Sequence, residues 1–76
     1  MNNKRRKQIS VVLSTLEYLR ETIEDIHAEE EEAFENMPES LEGSERYDNM
    51  EEAVSNLEDA VDLVEDLIDA LESAKE

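Results

Sequence analysis

The sequence predicts an all-α protein: an antiparallel two-helix hairpin, helical over about 7–36 and 44–74, that self-associates into a four-helix bundle. Three observations predict it. An apolar repeat of seven fills the second half of the chain. An apolar alternation of three and four fills the first. The single proline and the single glycine, Pro38 and Gly43, stand together between them.

Residues 1–6 read as a basic, polar arm that frays, ahead of one helical-hairpin domain over 7–76. The first helix carries Ile9, Val12, Leu16, Leu19, Ile23, Ile26, Ala33 and Met37 at alternating steps of three and four, with Glu30 the one misfit. That spacing lines one face of a helix. Leu13, His27 and Phe34 lie one position along and widen the stripe. A straight helix drifts about 20° per heptad against a strict seven-residue repeat, so a shift toward Phe34, with Glu30 at the edge, is expected.

The connector is Met37-Pro-Glu-Ser-Leu-Glu-Gly-Ser44. Pro38 disfavours helical geometry at Met37 and has no N–H to continue the ladder. It suits the first position of a short turn ending near Glu42. Gly43 fits a position of positive φ, and Ser44 fits an N-cap. Asp48, with Glu51 three residues on, is a second capping candidate. The earlier start is preferred, because Tyr47 already belongs to the apolar stripe.

The second helix repeats in sevens from Met50, Leu57, Val64 and Leu71. Two acids follow each first position, apart from Ser73. The fourth and fifth positions are Ala or Leu and then Val or Ile, until Lys75. Leu63 and Ala70 add a flank. One neighbour covers only a narrow seam, and this stripe is wider. Leu57, Val61, Leu63, Val64, Leu67, Ile68 and Leu71 are therefore the expected oligomer interface. Ala53, Ala60 and Ala74 allow backbones to approach closely there. Two helices of about 30 residues, each near 45 Å at 1.5 Å per residue, joined by a short connector, favour the antiparallel hairpin.

Composition narrows the function. Small domains usually need disulfides, a metal or oligomerisation. There is no cysteine and one histidine, so oligomerisation remains, and no cofactor is expected. The net charge is −16, with Lys4, Arg5, Arg6, Lys7 and Arg20 clustered in the first twenty residues. In an antiparallel hairpin that basic end meets the acids of residues 66–76. Residues 9–13 are too short and polar for a signal peptide, and no stretch approaches the roughly 20 apolar residues of a membrane span. A cytoplasmic location without membrane contact is expected.

Three groups carry possible chemistry. Glu51, Glu58, Asp59, Asp62, Glu65, Asp66 and Asp69 fall opposite the second helix's apolar stripe. As a solvated face they keep a bundle soluble. As a functional face they resemble the charge row of nucleic acid, whose partners are rows of Lys and Arg. The expected partner is then a basic protein surface, with no direct nucleic-acid contact. Second, Glu31-Glu32-Ala-Phe-Glu35 with Glu58, Asp59 and Asp62 resembles the magnesium-binding pattern of all-α nucleotide pyrophosphatases. The second set has the wrong spacing for that family, and its phase points outward. Third, Phe34, Met37, Pro38, Leu41 and Tyr47 gather at the hairpin tip, as a plug for the bundle end or a docking point. No Ser-His-Asp set, Cys-His set or Gly-rich phosphate loop is present, so no catalytic residue is assigned.

The segment from Glu32 to Tyr47, with Ala-Phe-Glu-Asn-Met-Pro-Glu-Ser-Leu and Ser-Glu-Arg, followed by Leu57-Glu-Asp-Ala, resembles short acidic proteins of phages, prophages and conjugative elements of Gram-positive bacteria. The resemblance covers roughly residues 29–74. It implies a mobile-element accessory protein that inhibits or regulates a host or phage protein, and it assigns no functional residues. The expected function is non-enzymatic binding through the acidic helix face by a homodimer. The alternative is an assembly module acting by helix–helix pairing alone, and the third is the magnesium-dependent pyrophosphatase.

Overall fold

Two long helices and a tight turn make up the chain in a computed structural model describing residues 1–76. Helix α1 runs Asn3–Glu35, a 3-10 turn occupies Glu39–Leu41, and α2 runs Glu45–Lys75. There are no strands, and no helix is long and apolar enough to cross a membrane. The rod measures 59 × 15 × 13 Å. Its radius of gyration is 17.3 Å, against about 11 Å for a compact domain of this length.

The basic arm is not frayed: residues 3–6 belong to α1. The reason is a cap. Asn2 is extended, and its side-chain oxygen accepts from the Arg5 N–H at 2.9 Å, satisfying a donor that a helix start leaves open. Arg6 then reaches across the open end and donates from Nε to the Lys75 carbonyl at 3.0 Å. Cations suit a helix C-terminus, where unpaired carbonyls concentrate negative charge.

The turn follows its residue chemistry. The Met37 N–H donates to the Phe34 carbonyl at 3.1 Å, closing α1. Pro38 is extended at φ −60, ψ 143, and the short turn follows it. Gly43 has φ +80, the one positive value in the chain. Ser44 caps α2 by accepting from the Tyr47 N–H at 3.1 Å, so Asp48 is left inside the first turn.

A seam of alternating steps joins the helices. On α1 it runs Arg6, Ile9, Leu13, Leu16, Arg20, Ile23, His27, Glu30, Phe34, then Met37 in the turn. On α2 it runs Tyr47, Met50, Val54, Leu57, Val61, Val64, Ile68, Leu71, Lys75. All these residues are buried or half-buried. Lettering each heptad with this seam as a and d, the a rows are 6, 13, 20, 27, 34 and 47, 54, 61, 68, 75. Arg6 meets Lys75 at one end and Phe34 meets Tyr47 at the other, with ring centroids 4.8 Å apart at 49°. Both pairs of residue numbers add to 81, so one register holds along the rod. Leu13 and Ile68 also add to 81. They are the two fully buried residues, each 5% exposed.

The apolar stripe of α1 is corrected here. Ile9, Leu16, Ile23 and Met37 lie on the seam as expected. Val12, Leu19 and Ile26 do not: they are 46%, 43% and 47% exposed. Both arrangements share the d row, and the rotation of α1 decides which neighbouring row completes the seam. Bringing Leu13 and Phe34 in sets them level with Ile68 and Tyr47, the bulky a-row residues of α2. The alternative row would face Ala53, Ala60 and Ala74. Aromatic and aliphatic contact outweighs the polar character of Arg20 and His27, whose stems lie along apolar surface.

Truncating the buried layer tests this seam. Leu13→Ala or Ile68→Ala lowers unfolding stability by about 2–5 kcal/mol, while Val11→Ala stays within about 0.5 kcal/mol, read by urea titration of helicity. At the turn, a Cβ on Gly43 meets nothing within 4 Å. Gly43→Ala therefore carries only the left-handed backbone penalty of about 1–2 kcal/mol.

Candidate functional site

The seam fixes what each remaining row of the two helices presents. In an antiparallel pair the e rows share one side and the g rows share the other. The e rows are Ser10, Glu17, Glu24, Glu31 and Glu51, Glu58, Glu65, Glu72. Seven of those eight positions are carboxylates. One groove confirms the grouping, with Glu24, His27 and Glu31 of α1 facing Val54, Glu58, Val61 and Asp62 of α2. Beside it, Asp48, Glu51, Glu52 and Ser55 line a second depression with no apolar wall. Of the seven acids expected to form a face, Glu51, Glu58 and Glu65 lie on this e row. Asp62 and Asp69 flank it, and Asp59 and Asp66 lie on the outer back of α2. All seven are exposed.

The opposite side is different in kind. The g rows are Arg5, Val12, Leu19, Ile26, Ala33 and Arg46, Ala53, Ala60, Leu67, Ala74. The c rows outside them are Gln8, Thr15, Thr22, Glu29 and Asn49, Asn56, Leu63, Ala70. Only Arg5, Glu29 and Arg46 are charged in these rows; at the tip end Glu30 and Glu45 border them, sharing a depression with Arg46, Asn49 and Met50. Thr15 and Thr22 donate their hydroxyls to the Val11 and Tyr18 carbonyls, each at 3.1 Å, leaving little unmet polarity.

The expected oligomer interface is thereby divided. Leu57, Val61, Val64, Ile68 and Leu71 line the seam within the hairpin. Leu63 and Leu67 remain open, 68% and 47% exposed. At the tip, Phe34, Met37, Leu41 and Tyr47 are half-buried and Pro38 is exposed, so these residues close the rod's end. The basic end does not form the expected carboxylate pairs with residues 66–76. Only two ion pairs lie within 4 Å, both within α1: Arg20–Glu24 at 3.9 Å and His27–Glu31 at 3.6 Å. Most carboxylates therefore face solvent without a cation partner.

No three carboxylate or imidazole groups converge closely enough to hold a metal ion. Glu31 shares the groove with Glu58 and Asp62, whereas Glu32 and Glu35 lie on the outer surface of α1. His27 is a seam residue, not an edge residue. Its Nε2 is buried and has no hydrogen-bond partner. Arg20 and Glu30 also occupy seam positions. Of the three, Glu30 shows in the alternation as its misfit and His27 as a widening of the stripe, whereas Arg20 is hidden because Leu19 beside it fits the alternation. No family model, curated protein or solved structure matches the chain.

Two outcomes follow from this charge and seam arrangement. His27→Leu removes the unpartnered Nε2 together with the 3.6 Å Nδ1–Glu31 contact, and raises stability by about 1 kcal/mol in thermal or urea unfolding, because an unmet buried polar atom costs more than a half-exposed contact contributes. Added monovalent salt raises the melting temperature, because screening relieves self-repulsion at −16.

Proposed function

We propose that this chain is a non-catalytic binding protein. In this reading it dimerises into a four-helix bundle and sets its carboxylate flank against a basic surface of another protein. The observation that carries the reading is the segregation of charge. Seven of eight e-row positions are acidic, five of them with no basic partner within 4 Å, while the opposite side is almost neutral. A face that only kept the protein soluble has no need of such sorting. Carboxylates repeating along a stiff rod are complementary to grooves that grip nucleic-acid backbone, and such attraction speeds encounter at low salt. The resemblance to mobile-element proteins supports an accessory role in the cytoplasm that inhibits or regulates a host or phage protein.

A second reading, an assembly module acting by helix pairing alone, is favoured by the exposed Leu63 and Leu67. The two separate on one variant. Proteins captured from host extract by the wild-type chain are compared with those captured by a Glu58→Gln, Asp62→Gln, Glu65→Gln, Asp69→Gln chain. Charge-driven binding predicts salt-sensitive capture that falls at least about tenfold in the variant. Equal capture at every salt concentration contradicts the acidic-face reading and leaves the assembly module.

A further inference from the structure

The uncharged side of the hairpin is an interface, and the geometry points to its occupant: a second copy of this chain, docked side by side and head to tail. The inference rests on the dimer proposed above and adds the face, the orientation and the consequence for the acidic flank.

The face comes first. Val12, Leu19 and Ile26 on α1 and Leu63 and Leu67 on α2 are all 43–68% exposed, and they lie on one side of the rod. Ala53, Ala60, Ala70 and Ala74 between them keep that side low, which lets two backbones approach closely. The hairpin alone buries only two residues fully, so a further apolar layer is what a chain this small lacks. The e-row flank and the back of α2 would bring rows of carboxylates together, and the back of α1 holds its exposed Val11 and Tyr18 in its first half only, ahead of Glu21, Asp25, Glu32 and Glu35.

The orientation follows from charge. Residues 29–52 at the tip hold eleven acids and one arginine, whereas residues 1–7 and 74–76 at the other end hold five cations and one acid. A parallel pair would set tip against tip. A head-to-tail pair sets the basic end of each copy over the partner's acidic tip. On the interface side itself, Arg5 stands at one end and Glu29 near the other. A twofold axis across that side level with residue 17, midway between Arg5 and Glu29, brings each Arg5 toward the other copy's Glu29. It makes that contact twice, as an isologous interface requires. The consequence is bivalence: both carboxylate flanks face outward, on opposite sides of the dimer, so one dimer presents two identical acidic surfaces.

The test uses the absence of cysteine, which makes any introduced thiol unique. Sedimentation equilibrium of the full chain should give twice the 8.8 kDa chain mass. Leu19→Glu with Leu63→Glu should weaken association by more than about tenfold, because it buries unpaired charge. Val11→Glu with Tyr18→Glu, on the outer back of α1, should leave the dimer unchanged. Orientation is read separately on single-cysteine chains, which keep Leu19 and Leu63. Mixed Gln8→Cys and Ala33→Cys chains should join across a short bis-maleimide, while neither joins to itself. A monomer at all concentrations overturns both the dimer reading and this inference. A dimer that resists the Leu variants, or links Gln8→Cys to itself, overturns this inference alone and leaves self-association standing.

Discussion

The rotation of α1 about its own axis governs the rest of this molecule. Three neighbouring rows on α1 are wholly or partly apolar, and only two of them fit between the helices. Phe34 against Tyr47, and Leu13 level with Ile68, fix the choice in favour of the a row. Once that row turns inward, the g row must turn out, and the acids of the e row come to the opposite side. A turn of about 50°, which keeps the d row and exchanges the a row for the g row, would bury Leu19 and Ile26 and mix the two flanks. Sorting of charge is thus a consequence of seam packing, not of any contact between the charges themselves.

The seam is also a compromise. Arg20, His27 and Glu30 occupy positions where an apolar side chain would add stability. Polar residues at such positions can fix register and pairing at a loss of stability. Here Arg20 stands between Leu16 and Ile23, while His27 and Glu30 are consecutive along the seam, between Ile23 and Phe34. Net repulsion among 23 acids opposes compaction further. A hairpin with two fully buried side chains is poorly placed to absorb both penalties alone. That imbalance is why the exposed leucines of α2 matter to the account.

Much of the fold was legible in the sequence, and the reason is periodicity. The repeat from Met50 to Leu71 names the d row of α2 outright. Pro38, Gly43 and Ser44 each sit where their backbone chemistry is needed, and α2 begins at the residue after its cap. The start of α1 was not legible. Asn2 is a cap in a segment whose charge pattern carries no helical period. The seam of α1 was only half legible. Its d row is unambiguous, but a stripe of apolar residues on either side leaves the rotation to tertiary contacts that no single helix encodes. The acidic flank follows from the rotation and was legible only on α2. On α1 the contribution of Glu17, Glu24 and Glu31 depends on which row faces inward.

In the binding role proposed above, carboxylates held on helices at heptad spacing would need little ordering to meet a basic surface. The seam rotation is most directly measured by nuclear Overhauser contacts in the isotopically labelled 8.8 kDa chain, with mixed labelling to set aside contacts between copies. The account predicts contacts from Leu13 methyls to Ile68 and from the Phe34 ring to Tyr47 within one chain, and none from Leu19 or Ile26 to Val61 or Val54. Intrachain contacts from Leu19 and Ile26 to those valines, with Leu13 and Phe34 free, would contradict it.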